Sequence, residues 1–286
     1  MGSIFSFFSS SSTTCSEPKV ILITGASSGI GKDAALALIR RGHVVYGAAR
    51  RVDRMQDLVQ AGGHAVAMDV TNEQEIVDAV KRILQEQNGK IDVLVNNAGL
   101  MIAGAAEEVS VADGRKQFDV NLFGLVRLTQ EVLPHMRKRR QGTIINIGMT
   151  GNVFFAFHAW YVASKHALEG WSDCLRVELH PFNVKVSIIE PGAIRTGHAD
   201  TIMPVGGNDH QRSAYTPYRE TYMKNFVDSG EKYGSPPTVV SNAVIKASES
   251  QNPKRRYVVG FTLLLFLRSW FGDTVYDRIT LQMMKE

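Results

Sequence analysis

Short apolar runs alternate along the chain with stretches in which apolar residues recur every three or four positions. Val20-Ile21-Leu22-Ile23 is the first run, and residues 30–41 after it read as a helix. His43 to Ala48 predicts a second strand and Ala65 to Met68 a short third. Ile76, Val77, Val80, Ile83 and Leu84 fall on one face of a helix over 73–87, with Gly89 as its stop signal. Ile91 to Val95 predicts a fourth strand, 113–139 a long helix, Thr143 to Ile147 a fifth strand, 160–180 a helix and Val184 to Ile189 a sixth strand. Continuous apolar strands between amphipathic helices indicate a parallel sheet covered on both faces. The expectation is one doubly wound α/β domain over 19–286 with about seven strands, since no linker divides two cores.

The pattern loosens after Gly192. Residues 197–235, rich in Gly, Pro, Asn and Tyr, read as a substrate-binding loop holding a short helix. Beyond it come a helix over Val239 to Ser248, a last strand over Arg256 to Val259, and a C-terminal helix. Residues 1–18 contain the hydroxyl run Ser9 to Thr14 and read as a disordered tail. Met1-Gly2-Ser3-Ile4-Phe5-Ser6 matches a myristoylation pattern, which short sequences also meet by chance.

Composition narrows the function classes. A formal charge of +4, spread over 286 residues, argues against a nucleic-acid surface, and the basic run Arg137 to Arg140 suits a helix end. The two cysteines, Cys15 and Cys174, have neither disulfide nor zinc-ligand spacing, so no metal site is expected and a reducing, cytoplasmic setting fits. The longest apolar stretch, Tyr257 to Leu267, has 11 residues where a spanning helix needs about 20. It suits peripheral membrane contact or the cover of an apolar pocket.

Candidate chemistry gathers at the strand ends. Gly25, Ser27, Ser28, Gly29, Ile30 and Gly31 lie between the first strand and the first helix, in G-x3-G-x-G spacing. Glycines there let the backbone approach a pyrophosphate, and the helix N-terminus offers free N–H groups to it. The second strand ends in Arg50-Arg51 with no carboxylate. Guanidinium groups suit a 2′-phosphate, so NADP(H) is expected over NAD(H). The other reading is two solvated arginines. Tyr161 and Lys165 stand one helical turn apart, where an ammonium lowers a tyrosine pKa and readies it as general acid or base.

Thr24-Gly25-Ala26-Ser27-Ser28-Gly29-Ile30-Gly31 is followed in order by Asp69-Val70, Asn96-Asn97-Ala98-Gly99, Tyr161-Val162-Ala163-Ser164-Lys165, and Pro191-Gly192 with Thr196. In these motifs the chain resembles the short-chain dehydrogenase/reductase family from about Lys19 to the last strand. The resemblance implies a Rossmann-type fold and assigns cofactor contacts to Asp69, Val70, Asn97, Ala98, Gly99, Pro191, Gly192, Ile194 and Thr196. It also implies that Lys165 holds the ribose hydroxyls, that Asn121 holds a water of a proton relay, and that the long helices pair subunits into homodimers or homotetramers.

The chain departs from the family at its serine, which should stand thirteen residues before the tyrosine. Counting back from Tyr161 reaches Gly148, counting forward from Asn146 reaches Met149, and neither has a hydroxyl. A serine between them is missing. Thr150 supplies the hydroxyl instead, or the enzyme works without it, or its loss leaves an impaired enzyme, or the fold serves a cyclase, isomerase or dehydratase reaction beside a bound cofactor. His158 is a further candidate replacement. Phe154, Phe155, Phe157, His158 and Trp160 either pack the helix start or line a pocket for a greasy substrate. The expected activity interconverts a ketone and a secondary alcohol on a hydrophobic small molecule.

Overall fold

The computed structural model describes residues 17–150, 153–195, 202–204, 213–260 and 263–285, without the side chains of 202–204, 263–269 and 271. Residues 1–16 of the tail, with the myristoylation pattern, therefore lie outside the described residues.

Five residues, Val20–Thr24, form β1, and all are buried. Side chains alternate across a strand, and here both sides are apolar. Val20 and Leu22 join one core, Ile21 and Ile23 the other. The chain continues through α1 (Gly29–Arg40), β2 (Val44–Ala49), α2 (Gln56–Gln60), β3 (His64–Ala67), α3 (Glu73–Glu86) and β4 (Val93–Asn96). After β4 come β5 (Met101–Ala103), α4 (Val111–Phe118), α5 (Gly124–Arg139), β6 (Gly142–Ile147), α6 (Ala159–Leu179) and β7 (Val184–Pro191). The last elements are β8 (Ile202–Pro204), α7 (Thr216–Tyr233), α8 (Thr238–Glu249), β9 (Arg256–Val259) and α9 (Leu263–Gln282), which breaks at Gly272.

Seven strands make one parallel sheet in the order β3-β2-β1-β4-β6-β7-β9. The order reverses between β1 and β4, so the carboxyl ends of these strands open a crevice there, the usual place for a ligand in such sheets. Buried residues of α3, α5 and α6 cover one face. Those of α1 and α8 cover the other. This is the doubly wound Rossmann-type α/β fold expected from the alternation.

Three departures bear on the site. The helical stretch predicted as 113–139 is α4 and α5 joined by a π turn, Asp119–Phe123, with Asn121 inside it. Within 197–235, the expected short helix is the 18-residue α7. The short strands β5 and β8 pair in parallel as a separate two-stranded sheet, Met101 opposite Ile202.

Candidate active site

The glycine-rich turn is tightened from behind by one asparagine. Asn97 Nδ2 donates to the Thr24 carbonyl at 2.9 Å and to the Gly25 carbonyl at 3.4 Å. The Thr24 hydroxyl accepts from the Asn97 and Ala98 amides at 3.0 and 2.9 Å. Gly25 has φ +68, and a Cβ there would lie 2.9 Å from Asn97 Nδ2. A Cβ on Gly31 would overlap Asn97 Nδ2 and the Gly25 carbonyl. These glycines are required by the protein's own packing. Gly29 is different: its φ is +54, yet nothing lies within 4 Å of a Cβ built there. Beside it Ser28 is exposed, extended at φ −161, and makes no side-chain cap to α1. An open glycine at the first position of an uncapped helix is a cradle shaped for an anionic diphosphate. The residues present therefore fit a nicotinamide dinucleotide.

Arg50 follows β2 with its side chain 74% exposed and Nη1 4.0 Å from Asp69 Oδ2. Asp69 Oδ1 accepts from the Thr71 amide and hydroxyl at 2.9 and 2.8 Å. Arg51 is exposed as well. Val70 differs from its expected neighbours, since its side chain belongs to the buried core and its carbonyl lies where a Cβ on Gly124 would fall. It can meet a cofactor only through its backbone.

Asn121 is buried in the π turn, and π turns are often found at functional sites. Its Oδ1 accepts from the Leu100 amide at 2.7 Å, and its Nδ2 donates to the Leu100 carbonyl and to Ser164 Oγ, at 2.9 and 3.0 Å. Ser164 in turn donates to the Tyr161 carbonyl at 2.7 Å. One residue thus ties the segment after Gly99 to the first turn of α6, where Tyr161 stands. Gly99 is exposed beside it, 3.7 Å from Asn121 Oδ1 to a built Cβ.

Tyr161 and Lys165 share a face of α6, with Lys165 Nζ 5.9 Å from the centre of the tyrosine ring. The Tyr161 hydroxyl makes no hydrogen bond to any described residue, while Lys165 Nζ donates to the Ile147 carbonyl at 2.7 Å. Their electrostatics differ from expectation. Burial pushes the Tyr161 phenol up to about 12, and no charge from Lys165 offsets it. Burial pulls the Lys165 amine down to about 8, opposed by the Glu169 carboxylate. The lowering of Tyr161 was expected from Lys165 together with an oxidised nicotinamide; of these, Lys165 does not produce it, because the ammonium faces the ring and a backbone carbonyl and desolvation prevails.

The segment Gly148-Met149-Thr150 keeps pairing alongside β7, with Gly148 N donating to the Ile189 carbonyl at 2.8 Å and Thr150 N to the Pro191 carbonyl at 3.2 Å. Thr150 is buried, and its hydroxyl donates to the Pro191 carbonyl at 2.6 Å. A hydroxyl has one proton to give, and here it anchors backbone. Gly192 N donates to the Val259 carbonyl at 2.8 Å, and buried Ile194 bridges Ser235, so both brace the segment after β7. Thr196, Gly151 and Asn152 lie outside the described residues.

The aromatic segment divides. Trp160 packs on Phe118 and over Gly114, away from the loop. Phe157 stacks edge-on against Tyr222 of α7, while Phe155 and His158 meet Phe226. Tyr276 of α9 donates to the Phe154 carbonyl at 2.6 Å. His158 is buried, its Nδ1 2.7 Å from the Ala156 carbonyl. The segment before Tyr161 is thus held beneath α7 and α9 by aromatic contacts, and Phe157 pays with a left-handed φ of 62. The i, i+4 pair Tyr222 and Phe226 was a readable signal missed within the supposed loop. Thr24, at the polar end of an apolar strand, was another.

The family described as short chain dehydrogenase matches residues 19–204. The 3-ketodihydrosphingosine reductase of Bacteroides thetaiotaomicron is 37% identical over 267 residues, covering 91% of this chain and 95% of that protein. The NADPH-dependent 1-acyldihydroxyacetone phosphate reductase of Schizosaccharomyces pombe is 36% identical over 213 residues, or 72% and 71%. The crystal structure of a short-chain dehydrogenase from Streptomyces avermitilis aligns with a TM-score of 0.79 at 34% identity, covering 93% of this chain and 96% of that one. With a family match over most of the chain, its motifs in order and its fold in place, this protein belongs to the short-chain dehydrogenase/reductase family of oxidoreductases.

Proposed function

We propose that the protein is an NADP(H)-dependent oxidoreductase that interconverts a ketone and a secondary alcohol on a hydrophobic small molecule, with Tyr161 as general acid and base. The carrying observation is Tyr161 itself: its hydroxyl has no hydrogen-bond partner among the described residues, one turn from Lys165, at the carboxyl edge of the sheet. Gly29 and the start of α1 would hold the diphosphate. Arg50, with Arg51, would meet a 2′-phosphate. When bound, the nicotinamide supplies or accepts hydride. In reduction, Tyr161 Oη gives its proton to the carbonyl oxygen as that carbon becomes a carbinol; in oxidation it takes the proton back.

The reductase names of the two relatives support the reaction class, and the NADPH in one name supports the cofactor. Aromatic packing of α7 and α9 over residues 154–158 supports an apolar substrate. A second reading rests on Thr150. With its proton engaged by the Pro191 carbonyl, no hydroxyl in the described part of the segment polarises the substrate, which favours either slow redox turnover or a non-redox reaction beside a bound cofactor. Loss of NADPH absorbance with a panel of hydrophobic ketones tests the first reading. Consumption that Tyr161→Phe abolishes is expected; substrate turnover at constant absorbance would support the second.

A further inference from the structure

Beneath the catalytic pair lies a cluster of charges that the proposed reaction does not use. Lys165 and Glu169 are one turn apart on α6, and they engage consecutive residues at the end of β6. Lys165 donates to the Ile147 carbonyl at 2.7 Å. Glu169 Oε1 lies 2.5 Å from where a Cβ on Gly148 would stand. That oxygen is buried and has no hydrogen-bond partner among the described residues. The other oxygen, Oε2, accepts from Arg256 of β9 at 3.0 Å. The same guanidinium serves Asp173 of α6 at 2.7 Å and Glu190 of β7 at 2.8 Å. The charged groups facing Glu169 are therefore Lys165 and Asp173 on its own helix, Glu190 from β7 and Arg256 from β9. Asp173 is shared between Arg256 and Arg176, the latter at 3.0 Å, so Glu169 has only part of one guanidinium, and Lys165 stands one turn away on the same helix.

We propose that Glu169 is a positioning residue for proton transfer: its carboxylate, wedged against Gly148 and held from behind by Arg256, keeps the Lys165 ammonium charged and in place beneath Tyr161. The directions of titration agree. Glu169 is the charge that opposes the loss of the proton from desolvated Lys165. Burial and the neighbouring Glu190 push Glu169 itself up to about 7, against the pull of Arg256. The inference rests on the proposed role of Lys165, but its test needs no turnover.

The 13Cε resonance of Lys165 in lysine-labelled protein, assigned by its disappearance in Lys165→Met, is titrated with pH. The parent protein should show a midpoint near 8. Glu169→Gln should lower it by about one unit, the size expected from removing a nearby opposite charge. Glu169→Asp should restore most of it, and Glu190→Gln should not lower it. Gly148→Ala, which displaces Oε1 without removing the charge, should lower it in the same direction by less, and serves if the Gln variant fails to fold. Equal midpoints in parent, Gln and Ala proteins would overturn the proposal, as would Glu190→Gln acting as strongly as Glu169→Gln. If ketone turnover is found, the alkaline limb of kcat/KM should move with the midpoint. If none is found, the proposed reaction fails while the titration still decides the role of Glu169.

Discussion

The two halves of the crevice are built on different terms. On the β1–β2 side, backbone shape makes the site: Gly25 and Gly31 are fixed by contact with Asn97, and Gly29 stands open at the first position of an uncapped helix. On the β6–β7 side, the site depends on where single side chains point. Tyr161 presents a hydroxyl with no partner among the described residues, Lys165 and Thr150 are drawn to backbone carbonyls, and buried charges lie below. A site made of backbone geometry leaves a strict glycine pattern in the sequence. A site made of side-chain direction leaves only residue types, so the want of a serine at Gly148 and Met149 is visible while its consequence is not.

The sharpest way to break this comparison is to give the second half its missing group. A serine inserted between Gly148 and Met149 should raise kcat/KM about 100-fold or more, since one well-placed donor to a developing oxyanion is worth roughly 10²–10³. No gain would mean that another step limits the rate. On the cofactor side, Arg50→Glu should weaken NADPH about 10- to 100-fold, with smaller change for NADH, as loss of one charge-assisted contact implies. Equal affinities before and after, measured by fluorescence titration, would return Arg50 to a solvated surface role. Gly31→Ala should cost about 1–3 kcal/mol by forcing Asn97 and the Gly25 carbonyl apart, read as lowered thermal stability together with lost cofactor binding. Thr150→Val should cost about 1 kcal/mol for its bond to Pro191 while leaving kcat/KM nearly unchanged. A large fall in kcat with stability preserved would place the Thr150 hydroxyl on the substrate.

The fold was legible because the central strands are continuous apolar runs and the helices between them keep their period, as in β1 and α3. The misses have physical reasons. A π turn adds one residue to a hydrogen-bonded ring without altering composition, so the helix through Asn121 read as uninterrupted. Strands of three residues such as β5 and β8 carry too little pattern to register. The helix α7 was hidden by the Gly and Pro on its flanks, and its few apolar anchors include Tyr222 and Phe226, which bind other aromatics. At the site, Tyr161, Lys165 and Asn121 were legible by motif. Glu169 was legible only as a residue type one turn beyond Lys165; its link to Arg256 and Glu190 depends on the register of β7 and β9.

The central claim is that hydride and proton meet at one substrate carbonyl beside Tyr161. Incubating the protein with NADPH deuterated on the nicotinamide and a hydrophobic ketone, then locating the label by mass spectrometry, tests it directly. The account predicts deuterium on the carbinol carbon of the product from one face of the nicotinamide, and no labelled product with Tyr161→Phe. Product formed without deuterium, or undiminished labelling in the Tyr161→Phe protein, would contradict it.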